Sequence, residues 1–198
     1  VILAAEPDAT IALGTKEPTT RERLREGALD GSIVDMLDWK PVKAGDFFFV
    51  PSGTMHAIGK GIMILETQQS SDTTYRVYDF DRKDDTGNLR ELHIQQSIDV
   101  MTIGEPANSH PDTVELVDAS LTTYVSNEFF TVYKWAIHGE LSMKKQADYY
   151  LLSVLDGQGE LELDGQTYPL KKGDHFILPS DCQDWTFRGH LEMIVSHP

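Results

Sequence analysis

Three residues in the first half of the chain have the types and settings for chemistry: the imidazole of His56, the carboxylate of Glu66 and the guanidinium of Arg76. His56 comes just after the turn Pro51-Ser52-Gly53-Thr54, which ends the aromatic and β-branched run Phe47–Val50. Glu66 ends the apolar run Ile62–Leu65, and Arg76 stands between Tyr75 and Val77 in a strand-like stretch. A neutral imidazole can bind a metal through one ring nitrogen, so His56 is the candidate metal ligand. A carboxylate at the mouth of an apolar barrel suits general acid–base work, the candidate role of Glu66. A guanidinium buried in a strand is costly unless it is paired or faces an anion, which makes Arg76 the candidate for stabilising negative charge. Each has a structural alternative: His56 as a hydrogen-bonding residue, Glu66 as an ion-pair partner of Arg76 or Lys60. Tyr75, Tyr78, Asp79 and Asp81 are expected to orient Arg76 or cap its strand, whereas His93, His110, His138 and His175 read as structural or exposed.

The elements that must position these groups are announced by a repeat. Pro41-Val42-Lys43-Ala44-Gly45-Asp46-Phe47-Phe48-Phe49-Val50-Pro51-Ser52 is echoed by Pro169-Leu170-Lys171-Lys172-Gly173-Asp174-His175-Phe176-Ile177-Leu178-Pro179-Ser180 at a constant offset. A repeat of this length indicates two copies of one structural unit. The same register sets Asp184 against His56, so the second copy has no imidazole there: one copy is built for chemistry, the other for packing. In order, the chain predicts strands over 1–5 and 10–13, then a helical insert over 19–38. Within that insert Thr19-Thr20 caps a helix over 21–27, and a second helix follows over 30–37. A short helix over 91–100 and a linker over 102–110 precede a run of strands to the end, with Asp156-Gly157 and Asp164-Gly165 as hairpin turns. Many short strands, the phrase Gly157-Gln158-Gly159-Glu160 and the Pro-terminated strands have the cadence of cupin barrels. The expected fold is mainly β, a bicupin of two jelly-roll barrels, with an N-terminal cupin over 1–105 and a metal-free C-terminal cupin over 106–198.

Composition narrows the function. The 198 residues carry a formal net charge of −15, which argues against nonspecific binding to nucleic acid or an anionic membrane. An acidic chain that binds an anion must gather its cations locally, so Arg82 and Lys60 stand out beside Arg76, with the Ser52 hydroxyl as a neutral donor. Cys182 is the only cysteine, so there is no intrachain disulfide framework, and cytoplasmic location is the default expectation.

Over Val50–Arg82, VPSGTMHAIGKGIMILETQQSSDTTYRVYDFDR, the chain closely resembles the type I mannose-6-phosphate isomerases in their short bacterial form. The resemblance extends over the whole chain. It implies a zinc-dependent cupin enzyme that interconverts mannose 6-phosphate and fructose 6-phosphate. It further implies His56 as the last zinc ligand, Arg76 as the active-site arginine, Glu66 as a cleft carboxylate and Arg82 as a second cation. In the family the other zinc ligands lie ahead of the strand that begins here at Val1, so an N-terminal portion is expected to be missing. The chain alone is then expected to bind zinc weakly.

Two other classes compete with an isomerase. A non-catalytic bicupin that binds a sugar phosphate, or a dimerising module, would tolerate an incomplete metal site. A cupin oxygenase or epimerase is the enzymatic rival; an oxygenase would want two or three histidines at one site, and the motif offers one. An edge left open by absent strands predicts a homodimer or a swapped pair.

Overall fold

The computed structural model describes residues 1–71, 73–80, 82–104 and 109–198. It is mainly β and divides into two compact units, one of Val1–Glu66 with Ser70–Asn108, the other of Thr67–Gln69 with Ser109–Pro198.

The first unit holds strands β1 (Ile2–Ala5), β2 (Thr10–Thr15), β3 (Leu37–Pro41), β4 (His56–Ile58) and β5 (Ile62–Ile64). Helices α1 (Arg21–Asp30) and α2 (Ile33–Met36) separate β2 from β3, and α3 (Ile94–Val100) comes last. β1 pairs with β5, and β2 runs between β3 and β4, every pair antiparallel. α1 starts where a free hydroxyl can take an orphan amide: Thr20 Oγ1 accepts from the Arg23 N–H at 3.2 Å. Its other end turns out at Gly31, whose φ of +83° suits a residue without a Cβ. Leu24 and Ala28 of α1 then pack with Ala12, Ile33, Leu37, Met55, Ile98 and Met101 into one core. The Arg21 guanidinium donates to the Met101 carbonyl at 2.8 Å, tying the start of α1 to the segment after α3.

The second unit is one eight-stranded sheet system: β6 (Asp112–Glu115), β7 (Ala119–Ser126), β8 (Thr131–Ile137), β9 (Glu140–Lys144), β10 (Tyr150–Leu163), β11 (Gln166–Lys171), β12 (His175–Leu178) and β13 (Asp184–His197). The two long strands bend and change partners. β10 pairs with β12 over its first residues and with β11 over its last, while β13 pairs with β9 and then with β8. The bend in β10 falls at a bulge between Val154 and Asp156, just before Gly157. A Cβ on Gly157 would stand 2.1 Å from the His190 carbonyl oxygen, so only glycine lets β10 and β13 approach there. Trp135, Leu152, Val154, Phe187, Met193 and Val195 fill the core inside.

The repeated phrase builds the same turn in both units. Lys43 N–H donates to the Asp46 carboxylate at 2.9 Å, and Lys171 N–H to that of Asp174 at 2.8 Å. His56 opens β4 as Asp184 opens β13, as the register requires.

Some expectations fail. Phe47–Val50 is not a strand, although its counterpart His175–Leu178 is β12. β12 runs beside Tyr150–Ser153, the residues just ahead of Val154. In the first unit Ile2 takes the bonds that Val154 makes, with Asp46 and Gly45 in the places of Asp174 and Gly173. Asp156-Gly157 is a bulge inside β10 and not a hairpin, because the chain continues along β13 past the bend; Asp164-Gly165 does turn β10 into β11. The helix expected over 30–37 is the single turn of α2, since Asp30 ends α1 and Gly31 interrupts the helical backbone. The helix expected from Glu91 starts at Ile94, because Glu91–His93 is engaged with Arg76. Tyr75–Val77 is not strand, and Arg76 is half-buried, anchored by specific bonds rather than by a sheet. Residues 105–108 of the expected linker lie outside the described residues.

Candidate active site

His56 owes its position to the alternation of strand side chains. Met55 enters the core, its carbonyl accepting from the Gly14 N–H at 2.8 Å, so the next residue must face outward. The His56 ring is exposed and its Nδ1 is 2.9 Å from the Thr54 carbonyl oxygen. A carbonyl accepts only, so Nδ1 carries the proton and Nε2 presents its lone pair. That is the state in which an imidazole binds a metal, with the backbone fixing the tautomer. A metal site needs more than one such ligand. Among the described residues no group of three His, Cys, Asp or Glu could hold a metal ion, so those residues do not make a complete metal centre.

Arg76 and its neighbours form a second cluster. The Arg76 N–H donates to His93 Nδ1 at 3.2 Å, the His93 N–H donates to the Arg76 carbonyl at 2.7 Å, and Arg76 Nη1 donates to the Glu91 carbonyl at 3.1 Å. Arg76 Nε lies 3.7 Å from Asp79 Oδ1. Asp79 is buried, and Arg90 grips it with a fork: Nε donates to Oδ2 at 2.6 Å and Nη2 to Oδ1. The Arg90 bonds hold the Asp79 carboxyl below its ordinary value of 3.8, against the opposing effect of burial, and the charges of Arg90, Arg76 and Arg82 add to it. Arg82 donates its N–H to the Asp79 carbonyl at 3.1 Å, and its Cζ sits 5.8 Å from the centre of the Phe80 ring. Phe80 holds this corner with φ at +53°, wedged edge-on against Tyr78 and Trp39. Two guanidinium groups, those of Arg90 and Arg76, therefore pair with one carboxylate, in a chain that is strongly acidic overall.

The remaining candidates are spread out. Glu66, Lys60 and Ser52 are exposed. β4, which carries His56, and β5, which precedes Glu66, belong to different sheets. A cavity of about 220 Å³ in the first unit is lined by Thr15, Thr19, Thr54, Met55 and Thr102 among others, and none of the six candidates lines it. Asp81 lies outside the described residues. Sequence reasoning missed Arg90 and set His93 aside; neither has a neighbour in sequence that marks its role, and each meets its partner across 11 or 17 positions.

Comparison with known proteins decides the family. A family model described as the mannose-6-phosphate isomerase cupin domain matches residues 120–198. A mannose-6-phosphate isomerase of Streptococcus mutans is 57% identical over 196 residues, 99% of this chain and 62% of the relative. The chain belongs to the mannose-6-phosphate isomerase family. Mannose-6-phosphate isomerase ManA of Bacillus subtilis is 45% identical over 99% of the chain and 62% of the relative. A crystal structure of the mannose 6-phosphate isomerase from Bacillus subtilis superimposes over 100% of the chain and 63% of its own, with a TM-score of 0.93 and 40% identity. The chain thus spans 62% of the length of the curated mannose-6-phosphate isomerases it matches. The family places the fold among the cupins, and among the described residues no helix is long and apolar enough to cross a membrane.

Proposed function

We propose that this chain carries the substrate-side residues of an aldose–ketose isomerase that interconverts mannose 6-phosphate and fructose 6-phosphate through an enediol. The observation that carries the reading is the 57% identity across 99% of the chain with the Streptococcus mutans relative, which is named a mannose-6-phosphate isomerase. On this reading the chain is a bicupin, with cupins over 1–105 and 106–198, and works in the cytoplasm. The shared turn of the repeated phrase supports the two-cupin architecture.

Isomerisation moves a proton between C1 and C2 and develops negative charge on the sugar oxygens. Arg76, held by its backbone and by its head group, is the cation that meets that charge, and a fixed cation needs no reorganisation when the charge appears. Arg82 and Lys60 are the candidate phosphate anchors, with the Ser52 hydroxyl as a further donor. Glu66 is the candidate carboxylate for proton transfer. His56 offers Nε2 as one ligand to zinc, which when bound would act as a Lewis acid on the sugar oxygens.

The test is a coupled assay on the native polypeptide, mannose 6-phosphate to fructose 6-phosphate, before and after chelation. Turnover lost on chelation and restored by zinc is the expected result. A polypeptide that binds the sugar phosphate without turning it over would replace the isomerase with a non-catalytic sugar-phosphate-binding bicupin.

A further inference from the structure

We propose that the segment Arg90–His93 positions Arg76, with Arg90 and His93 as positioning residues; this rests on Arg76 being the active-site arginine of the isomerase. Three sets of contacts converge on Arg76 from this one segment. His93 takes both backbone polar groups of Arg76, its ring Nδ1 accepting at 3.2 Å and its N–H donating at 2.7 Å. The Glu91 carbonyl accepts from Nη1 at 3.1 Å. Arg90 fixes the Asp79 carboxylate through two bonds, and Asp79 Oδ1 sits 3.7 Å from Arg76 Nε.

Free in solvent, an arginine side chain samples many rotamers, and ordering it during the reaction would raise the barrier. Here backbone and head group are held before substrate arrives, which is how positioning lowers an entropic barrier. Arg90 also decides the charge that Arg76 presents. Asp79 alone would neutralise Arg76; with its charge taken up by the Arg90 fork, the Arg76 guanidinium keeps net positive charge for an anion. The segment is itself anchored, because the His93 carbonyl accepts from the Ser97 N–H at 2.8 Å, and Ser97 and Ile98 are buried.

The acceptor role of His93 Nδ1 supplies the test. His93→Leu removes the acceptor, whereas His93→Asn sets an amide oxygen at the same distance from the backbone. In the native polypeptide, His93→Leu is expected to lower kcat by about 10- to 100-fold with little change in KM. It is also expected to speed hydrogen exchange at the Arg76 amide about tenfold. His93→Asn should recover most of both. Should His93→Leu fail to fold, Arg90→Lys, which keeps the charge but loses the fork, should show the same fall in kcat. Unchanged exchange at the Arg76 amide in His93→Leu, or unchanged kcat in either folded variant, overturns the proposal. A wild-type polypeptide without turnover refutes the isomerase reading instead, and Arg76 amide exchange still judges the positioning.

Discussion

Gly45 and Gly173 occupy equivalent places in the repeated phrase and share one conformation, each with φ at +90°. Gly45 N–H donates to the Ile2 carbonyl at 2.8 Å and Gly173 N–H to the Val154 carbonyl at 2.9 Å. A Cβ added at either would meet nothing within 4 Å, so the requirement for glycine is one of backbone angle alone.

Gly173→Ala should therefore cost about 1–2 kcal/mol, the penalty of a left-handed backbone for an L residue. Gly157→Ala adds a clash to a similar φ of +87°, its Cβ landing 2.1 Å from the His190 carbonyl oxygen. It should cost about 3 kcal/mol or more. Urea unfolding of both variants checks the order, and equal costs would show that the β10 bend yields enough to relieve the clash.

Asp79 predicts a specific acid sensitivity. Arg90 holds its folded pKa below the ordinary 3.8, so its contribution to stability is fully present above that value and is lost as pH falls through the folded value. The stability difference between wild type and Asp79→Asn should shrink as the pH is lowered through this window. A difference that stays constant with pH would mean that the Arg90 pairing does not survive in solution.

Arg76→Ala, made in the native polypeptide, should lower kcat by about 10²–10³-fold, the usual cost of removing a fixed donor from a developing oxyanion. Zinc content should be unchanged, because the His56 ring is oriented by the Thr54 carbonyl and not by Arg76. Parallel loss of zinc and turnover would move Arg76 from charge stabilisation to support of the metal.

Cys182 should be silent toward thiol reagents in the folded protein. Burial pushes its pKa up, Asp181 and Asp164 add to the shift, and the residue is 5% exposed, so little reactive thiolate is presented. Titration with an aromatic disulfide should find no rapid thiol in the native state and one after denaturation. Rapid native modification would show that the strand ends around Cys182 open readily.

Local chemistry made much of this protein legible in the chain. Gly45-Asp46 and Gly173-Asp174 mark the two equivalent turns, because a left-handed glycine and a carboxylate that caps its own loop act over four residues. Thr20 marked the start of α1, and Asp164-Gly165 a hairpin, for the same reason. His56 could be singled out because its turn, its strand and its orienting carbonyl lie within a few positions of it. Phe47–Val50 and Asp156-Gly157 differ from expectation because strand and bulge depend on what runs alongside: Tyr150–Ser153 pairs with the counterpart His175–Leu178, and β13 runs past the bend at Gly157. The Arg76 cluster was legible only in part. The cost of a guanidinium in a strand-like run points to Arg76 as a candidate, but its partners Arg90 and His93 come from a segment with no periodic or motif signal. Only the folded chain, by bringing residues 90–93 onto the 76–79 turn, decided which of seven histidines and which arginine would hold it.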